Sequence, residues 1–170
     1  TNKGEALRAL GRWDEALECF EAALSTQPDR ADYLYNRANT LFELHRLGDA
    51  IRDFQAALKL APQVRQIRIN LAAAHIRNNE VSEAIAHLEE AERLDPSDPL
   101  VWLNLGAAYD TARESANAEK CFRQVIALQP GNALGHANLA QLLSGMRRYT
   151  DAIHHFTEAL RLDPTLLWCR

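Results

Sequence analysis

Five prolines, Pro28, Pro62, Pro96, Pro130 and Pro164, recur at a spacing of 34 residues. A sixth, Pro99, stands outside this register. Ala16, Ala50, Ala84, Ala118 and Ala152 keep the same period, twelve residues before each proline. Phe20, Phe54, Leu88, Phe122 and Phe156 follow those alanines by four. A fixed period of this length means one supersecondary unit used repeatedly, since no single unit can bury its own apolar face.

Each period holds two helical patterns, with apolar residues at i, i+3, i+4 and i+7. In "DEALECFEAAL", Ala16, Leu17, Phe20, Ala23 and Leu24 form one stripe. Small alanines allow close helix approach, and the aromatic four residues later fills the gap beside them. Asp98 followed by Pro99, and Asn132, are helix-start signals. The periodic prolines end the second helix of each unit.

The fullest copy runs Trp102, Leu105, Gly106, Tyr109, Ala118, Phe122 and Pro130. This pattern resembles the tetratricopeptide repeat family, and the likeness covers the whole chain. The resemblance implies an all-α fold, a right-handed α-solenoid of helix-turn-helix repeats with a concave side. Residues 1–170 are expected to form one such solenoid. Residues 1–30 are a partial first repeat, 31–64, 65–98, 99–132 and 133–166 are full repeats, and 167–170 begin another. With no evident polar cap at either end, the chain is expected to be a piece of a longer protein and to be capable of end-to-end self-association.

The sixth residue of every repeat is asparagine: Asn2, Asn36, Asn70, Asn104 and Asn138. Asn104 falls with Leu103, Ala107 and Asp110, away from the stripe of Trp102, Leu105, Gly106 and Tyr109. In the family, that face of the first helix lines the concave groove. A carboxamide offers donors and an acceptor. A row of them matches the C=O and N–H groups of an extended peptide whatever its side chains. The row resembles the asparagine ladder of O-linked N-acetylglucosamine transferases, whose repeat superhelix delivers protein substrates to a separate catalytic domain. An alternative stays open, that asparagine is only a common polar residue on a wet face. Beside the row, Tyr35, Asn39, Phe42, Ile69, Ile76, Leu103 and Asp110 are the remaining candidate groove residues, and an accessible apolar lining marks a binding site.

Two functional classes follow. One is a non-catalytic protein- or peptide-binding scaffold; the other is the substrate-recognition arm of a glycosyltransferase whose catalytic domain lies outside this chain. The lysine and arginine clamp of chaperone-binding tetratricopeptide domains is absent. No fifth residue of a repeat is lysine and no sixth residue is arginine. No cofactor, metal or catalytic residue is expected. His154 and His155 are adjacent on a helix and diverge. The column Cys19, Asp53, His87, Cys121 and His155 is spread over rungs about 10 Å apart, too far for zinc bonds of about 2.0–2.3 Å. His75 and His136 stand where the family has aromatics and are expected to be packed imidazoles, while Arg37 and Arg68 are expected to snorkel or pair locally.

The net charge of −4, with no basic block, argues against nucleic acid. No apolar run approaches the roughly 18 residues of a membrane span. Cys19, Cys121 and Cys169 include no C-x-x-C pair and fit reduced thiols in a cytoplasmic setting.

Overall fold

The structure, a computed structural model, describes residues 2–166. The expected opening of a further repeat at 167–170, with Cys169, lies outside the described residues. The described residues form ten helices, and they divide into two compact units, Thr1–Glu90 and Ala91–Arg170.

The first unit holds α1 (Asn2–Ala9), α2 (Trp13–Thr26), α3 (Ala31–Glu43), α4 (Leu47–Leu60) and α5 (Arg65–Arg77). α6 (Val81–Leu94) runs across the division. The second unit holds α7 (Pro99–Thr111), α8 (Ser115–Leu128), α9 (Ala133–Gly145) and α10 (Tyr149–Leu162). Successive helices pack on each other within each unit, and first helices also touch: α3 meets α5, and α7 meets α9. That contact sets the asparagine-bearing helices of consecutive repeats side by side.

Helix ends follow from local chemistry. The second helices stop at Thr26, Leu60, Leu94, Leu128 and Leu162, each two residues before its proline. A proline there lacks the N–H that the next turn needs and forces the residue before it out of helical geometry. Asp98 caps α7 by accepting from the Leu100 N–H, with Pro99 at the first helical position. Asn132 caps α9 by accepting from the Gly135 N–H at 2.8 Å. Both start signals therefore act as the sequence suggested.

The turn inside each repeat uses one left-handed residue: Gly11, His45, Asn79, Arg113 and Arg147, with φ between 59° and 71°. The N–H of the next residue returns to a carbonyl five residues earlier, as in Arg46 to Leu41 and Arg148 to Leu143, both 2.9 Å. This closes the first helix with a Schellman-type cap.

The core of the first unit joins Leu17 and Leu24 of α2, Leu34, Ala38 and Leu41 of α3, Phe54 and Ala57 of α4, and Leu71 and Ala74 of α5. Ala38, Ala50 and Ala57 are wholly buried, so the small side chains stand where helices approach most closely. In the second unit Ala118, Phe122, Leu139, Leu142, Leu143 and Ala152 form the corresponding cluster. Gly106 sits so near Phe122 that an added Cβ would lie 2.6 Å from its ring. Leu17 and Ile51, on second helices, are buried beneath the helix that follows. Their counterpart Ile153 on α10 is 66% exposed.

Candidate functional site

In the first unit the sixth-position asparagines are tied to the repeat before them. Arg8 Nη1 donates to Asn36 Oδ1 at 3.0 Å, and Asn36 Nδ2 donates to Glu5 Oε1 at 3.1 Å. Asn70 Nδ2 donates to the Tyr35 hydroxyl at 3.0 Å and to Asn39 Oδ1 at 2.7 Å. Gln66 Nε2 donates to Asn70 Oδ1 at 2.8 Å, and Asn39 Nδ2 donates to the Tyr35 carbonyl at 2.8 Å. Asn2 is exposed. Tyr35, Asn39 and Asn70 thus form one polar cluster bridging α3 and α5.

The cluster leaves specific capacity open. Asn36 retains one N–H and one acceptor lone pair, Asn39 likewise one of each, Asn70 one lone pair, and the Tyr35 hydroxyl its own proton. A peptide backbone needs one donor and one acceptor per residue.

Two cavities flank the cluster. One, of about 210 Å³, is lined by Asn39, Phe42, Glu43, Phe54, Asn70 and Ala73. The other, of about 320 Å³, is lined by Ala31, Asp32, Tyr35, Ala61, Val64, Gln66 and Ile67. Tyr35 packs its ring on Phe54, centroids 6.0 Å apart. Arg77 lays its guanidinium 4.4 Å over the Phe42 ring. Ile76 is half-buried. Ile69 corrects the expectation of an accessible apolar wall: only 6% exposed, its side chain is taken into the interior, where burial removes its apolar surface from water.

The second unit arranges its row differently. Asn104 Nδ2 donates to the Leu100 carbonyl of its own helix at 2.7 Å, with no tie to another repeat. Asn138 is half-buried and makes no side-chain hydrogen bond among the described residues. Leu103 is half-buried against the Phe122 cluster. Asp110 is exposed in a polar cavity of about 530 Å³ that also holds Thr111, Arg113, Ser115 and Gln141.

Away from these faces, polar residues inside the repeats make local contacts, though Arg68 Nε and His75 Nε2 are buried without a partner among the described residues. Arg37 donates to both carboxylate oxygens of Asp53, from Nε at 2.6 Å and from Nη2 at 2.8 Å. Arg68 donates to the Pro62 carbonyl at 3.1 Å. His75, 4% exposed, meets Glu80 at 2.7 Å and stacks on His87. His136 lies between the Pro130 carbonyl and His155 Nδ1, at 3.2 and 3.0 Å. Burial pushes the His87 imidazole below its ordinary value, with His75 and Arg68 adding to the effect. Burial does the same to His155, helped by His136, His154 and Arg123 and opposed by Asp151. Among the described residues, no group of three or more His, Cys, Asp or Glu is placed to hold a metal ion, and no helix is long and apolar enough to cross a membrane.

Two models of the tetratricopeptide repeat family match the chain, one over residues 1–64, 35–99 and 69–133 and the other over 133–166. The chain is a tetratricopeptide repeat protein. Its fold class is the all-α helical-repeat solenoid of that family, whose members generally serve as non-catalytic scaffolds. Comparison with curated proteins gives no match.

Solved structures share the tetratricopeptide fold. MamA 41-end from Desulfovibrio magneticus RS-1 is similar with a TM-score of 0.88 and 21% identity, covering 98% of this chain and 94% of that one. TTC0263, a thermophilic tetratricopeptide protein of Thermus thermophilus, gives 0.78 and 27%, covering 99% and 92%. YrrB, described as a tetratricopeptide protein with an unusual peptide-binding site, gives 0.80 and 18%, covering 99% and 87%.

Proposed function

We propose that this tetratricopeptide protein is a non-catalytic scaffold that binds an extended peptide or protein segment on the faces of its first helices. The observation that carries the reading is the hydrogen-bond inventory of Asn36, Asn39, Asn70 and Tyr35. Bonds among Tyr35, Asn39 and Asn70, and from Asn36 to Arg8 and Glu5, hold the groups in place, and each keeps at least one donor or acceptor for a ligand backbone. Groups held rigidly before binding lose less rotamer entropy on engaging a ligand. Asn104 and Asn138 offer the same carboxamide chemistry on the first helices of the second unit. YrrB, similar in fold, is itself described as peptide-binding, which adds support.

Backbone recognition is tested by titrating labelled extended peptides of unrelated sequence. Asn104→Ala and Asn138→Ala together are expected to weaken all of them alike, on the order of five- to tenfold, for one or two lost hydrogen bonds. A loss confined to one sequence would contradict recognition through the backbone.

A further inference from the structure

The cavity of about 320 Å³ beside Asn70 is not explained by backbone binding. Its walls are Ala31 and Tyr35 of α3, Ala61 and Val64 of the loop after α4, and Ile67 of α5. Its polar groups are already engaged, the Tyr35 hydroxyl accepting from Asn70. Asp32 is paired with Arg30 at 2.7 Å, and Gln66 donates to Asn70. What remains facing a ligand is carbon. Val64, 45% exposed, keeps apolar surface at this opening in contact with water. The volume lies at the lower end of ligand pockets, about 300–1,000 Å³, which suits one side chain better than a whole small molecule.

The neighbouring cavity has the opposite character. Glu43 lines it, exposed, and no hydrogen bond or ion pair to its carboxylate is formed among the described residues. Phe42 stands next to it, with one ring face covered by Arg77. An unneutralised carboxylate on a chain of net charge −4 favours a cationic group. The two cavities share a wall through the Tyr35–Asn70 bond, Tyr35 lining the first and Asn70 the second. A segment whose backbone lies on Asn39 and Asn70 would therefore pass over both.

The geometry points to a side-chain-reading site in the first unit. It takes an extended peptide that places a large apolar side chain in the pocket of Tyr35, Val64 and Ile67 and a lysine or arginine against Glu43. This inference rests on the proposed peptide-binding role and adds selectivity to it. The backbone groups would hold any peptide, and these two pockets would choose among them.

The test uses the full chain and four nine-residue peptides of alanine and serine. The parent peptide carries one leucine and one lysine two residues apart. A second has serine for the leucine, a third has glutamate for the lysine, and a fourth has both changes. Affinities are read from amide shifts in 15N-labelled protein.

Replacing the leucine is expected to weaken binding on the order of tenfold or more, the loss of one buried leucine side chain. Replacing the lysine should cost about two- to fivefold, the range of an exposed ion pair. Val64→Asp puts a carboxylate at the pocket mouth while supplying a good helix cap for α5, so the protein should remain folded. It should weaken the leucine peptides about tenfold and leave the serine peptides unchanged. Glu43→Gln should remove the preference for lysine.

Equal affinity of the leucine and serine peptides, or of native protein and Val64→Asp for the parent, would overturn the side-chain site. If Asn36→Ala still weakens all four peptides in that case, backbone binding survives and only the selectivity fails. If no peptide moves any α3 or α5 resonance at millimolar concentration, both readings fall.

Discussion

Asn70 and Asn104 occupy the same position of their repeats, yet the structure gives them different energetic duties. Asn70→Ala removes two bonds that join α3 to α5, to Tyr35 and Asn39, and a third to Gln66. A net protein hydrogen bond contributes roughly 0.5–1.5 kcal/mol. Asn70 is half-buried, so water partly replaces the lost partners, and the lower half of that range applies. Three bonds then give about 1.5–3 kcal/mol. Alanine returns about 0.5–0.7 kcal/mol through its better helix propensity. The net loss is about 1–2.5 kcal/mol, a fall in melting temperature of roughly 2–10 °C for a chain of this size.

Asn104→Ala removes one bond to a carbonyl of its own helix. It should stay within about 0.5 kcal/mol of the native protein. The assay is thermal and urea unfolding followed by circular dichroism, with a cycle of Asn70→Ala and Tyr35→Phe. That cycle should show a coupling of about 0.5–1.5 kcal/mol. Equal stabilities of Asn70→Ala and Asn104→Ala, or no coupling with Tyr35, would refute the reasoning.

Gly106→Ala should destabilise by about 1 kcal/mol, because overpacking against the buried Phe122 ring outweighs the propensity gain; Gly48→Ala, which meets open space, should be neutral or stabilising on urea unfolding. Arg113→Gly and Arg147→Gly should each raise stability by a few tenths of a kcal/mol, since both residues hold left-handed φ values near 61° that glycine adopts without a Cβ clash. His87 and His155 are held below their ordinary value near 6.5, so the unfolded chain binds more protons than the folded one as the pH falls. Their contribution is complete above about pH 6.5 and is lost below it as the pH drops through the folded values. Melts between pH 7.5 and 5 should fall, and His155→Gln should flatten that slope.

The proline period made the repeats legible, because a residue that cannot continue a helix marks every second-helix end. Asp98 and Asn132 were equally readable, since a cap acts on residues two or three positions away. The left-handed turn column was not. Gly11, Asn79 and His45 carry residue types found at positive φ, but Arg113 and Arg147 adopt it because the helices on both sides impose the turn. The asparagine column was visible, but its bonding was not. Asn36 is held by Glu5 and Arg8, one repeat away and at positions that vary between repeats. Nor could periodicity tell that Ile69 turns inward or that Val64, in a loop, walls an apolar pocket. Both depend on how consecutive repeats are set against each other.

Recognition of an extended backbone by the first helices is tested most directly by following the side-chain carboxamide resonances of Asn36, Asn39 and Asn70 during titration with an extended peptide. Binding through their remaining donors and acceptors predicts that these three signals shift together, saturate with one affinity, and do so for peptides of unrelated sequence. Shifts confined to second-helix residues, with the three carboxamides unmoved at saturation, would contradict it.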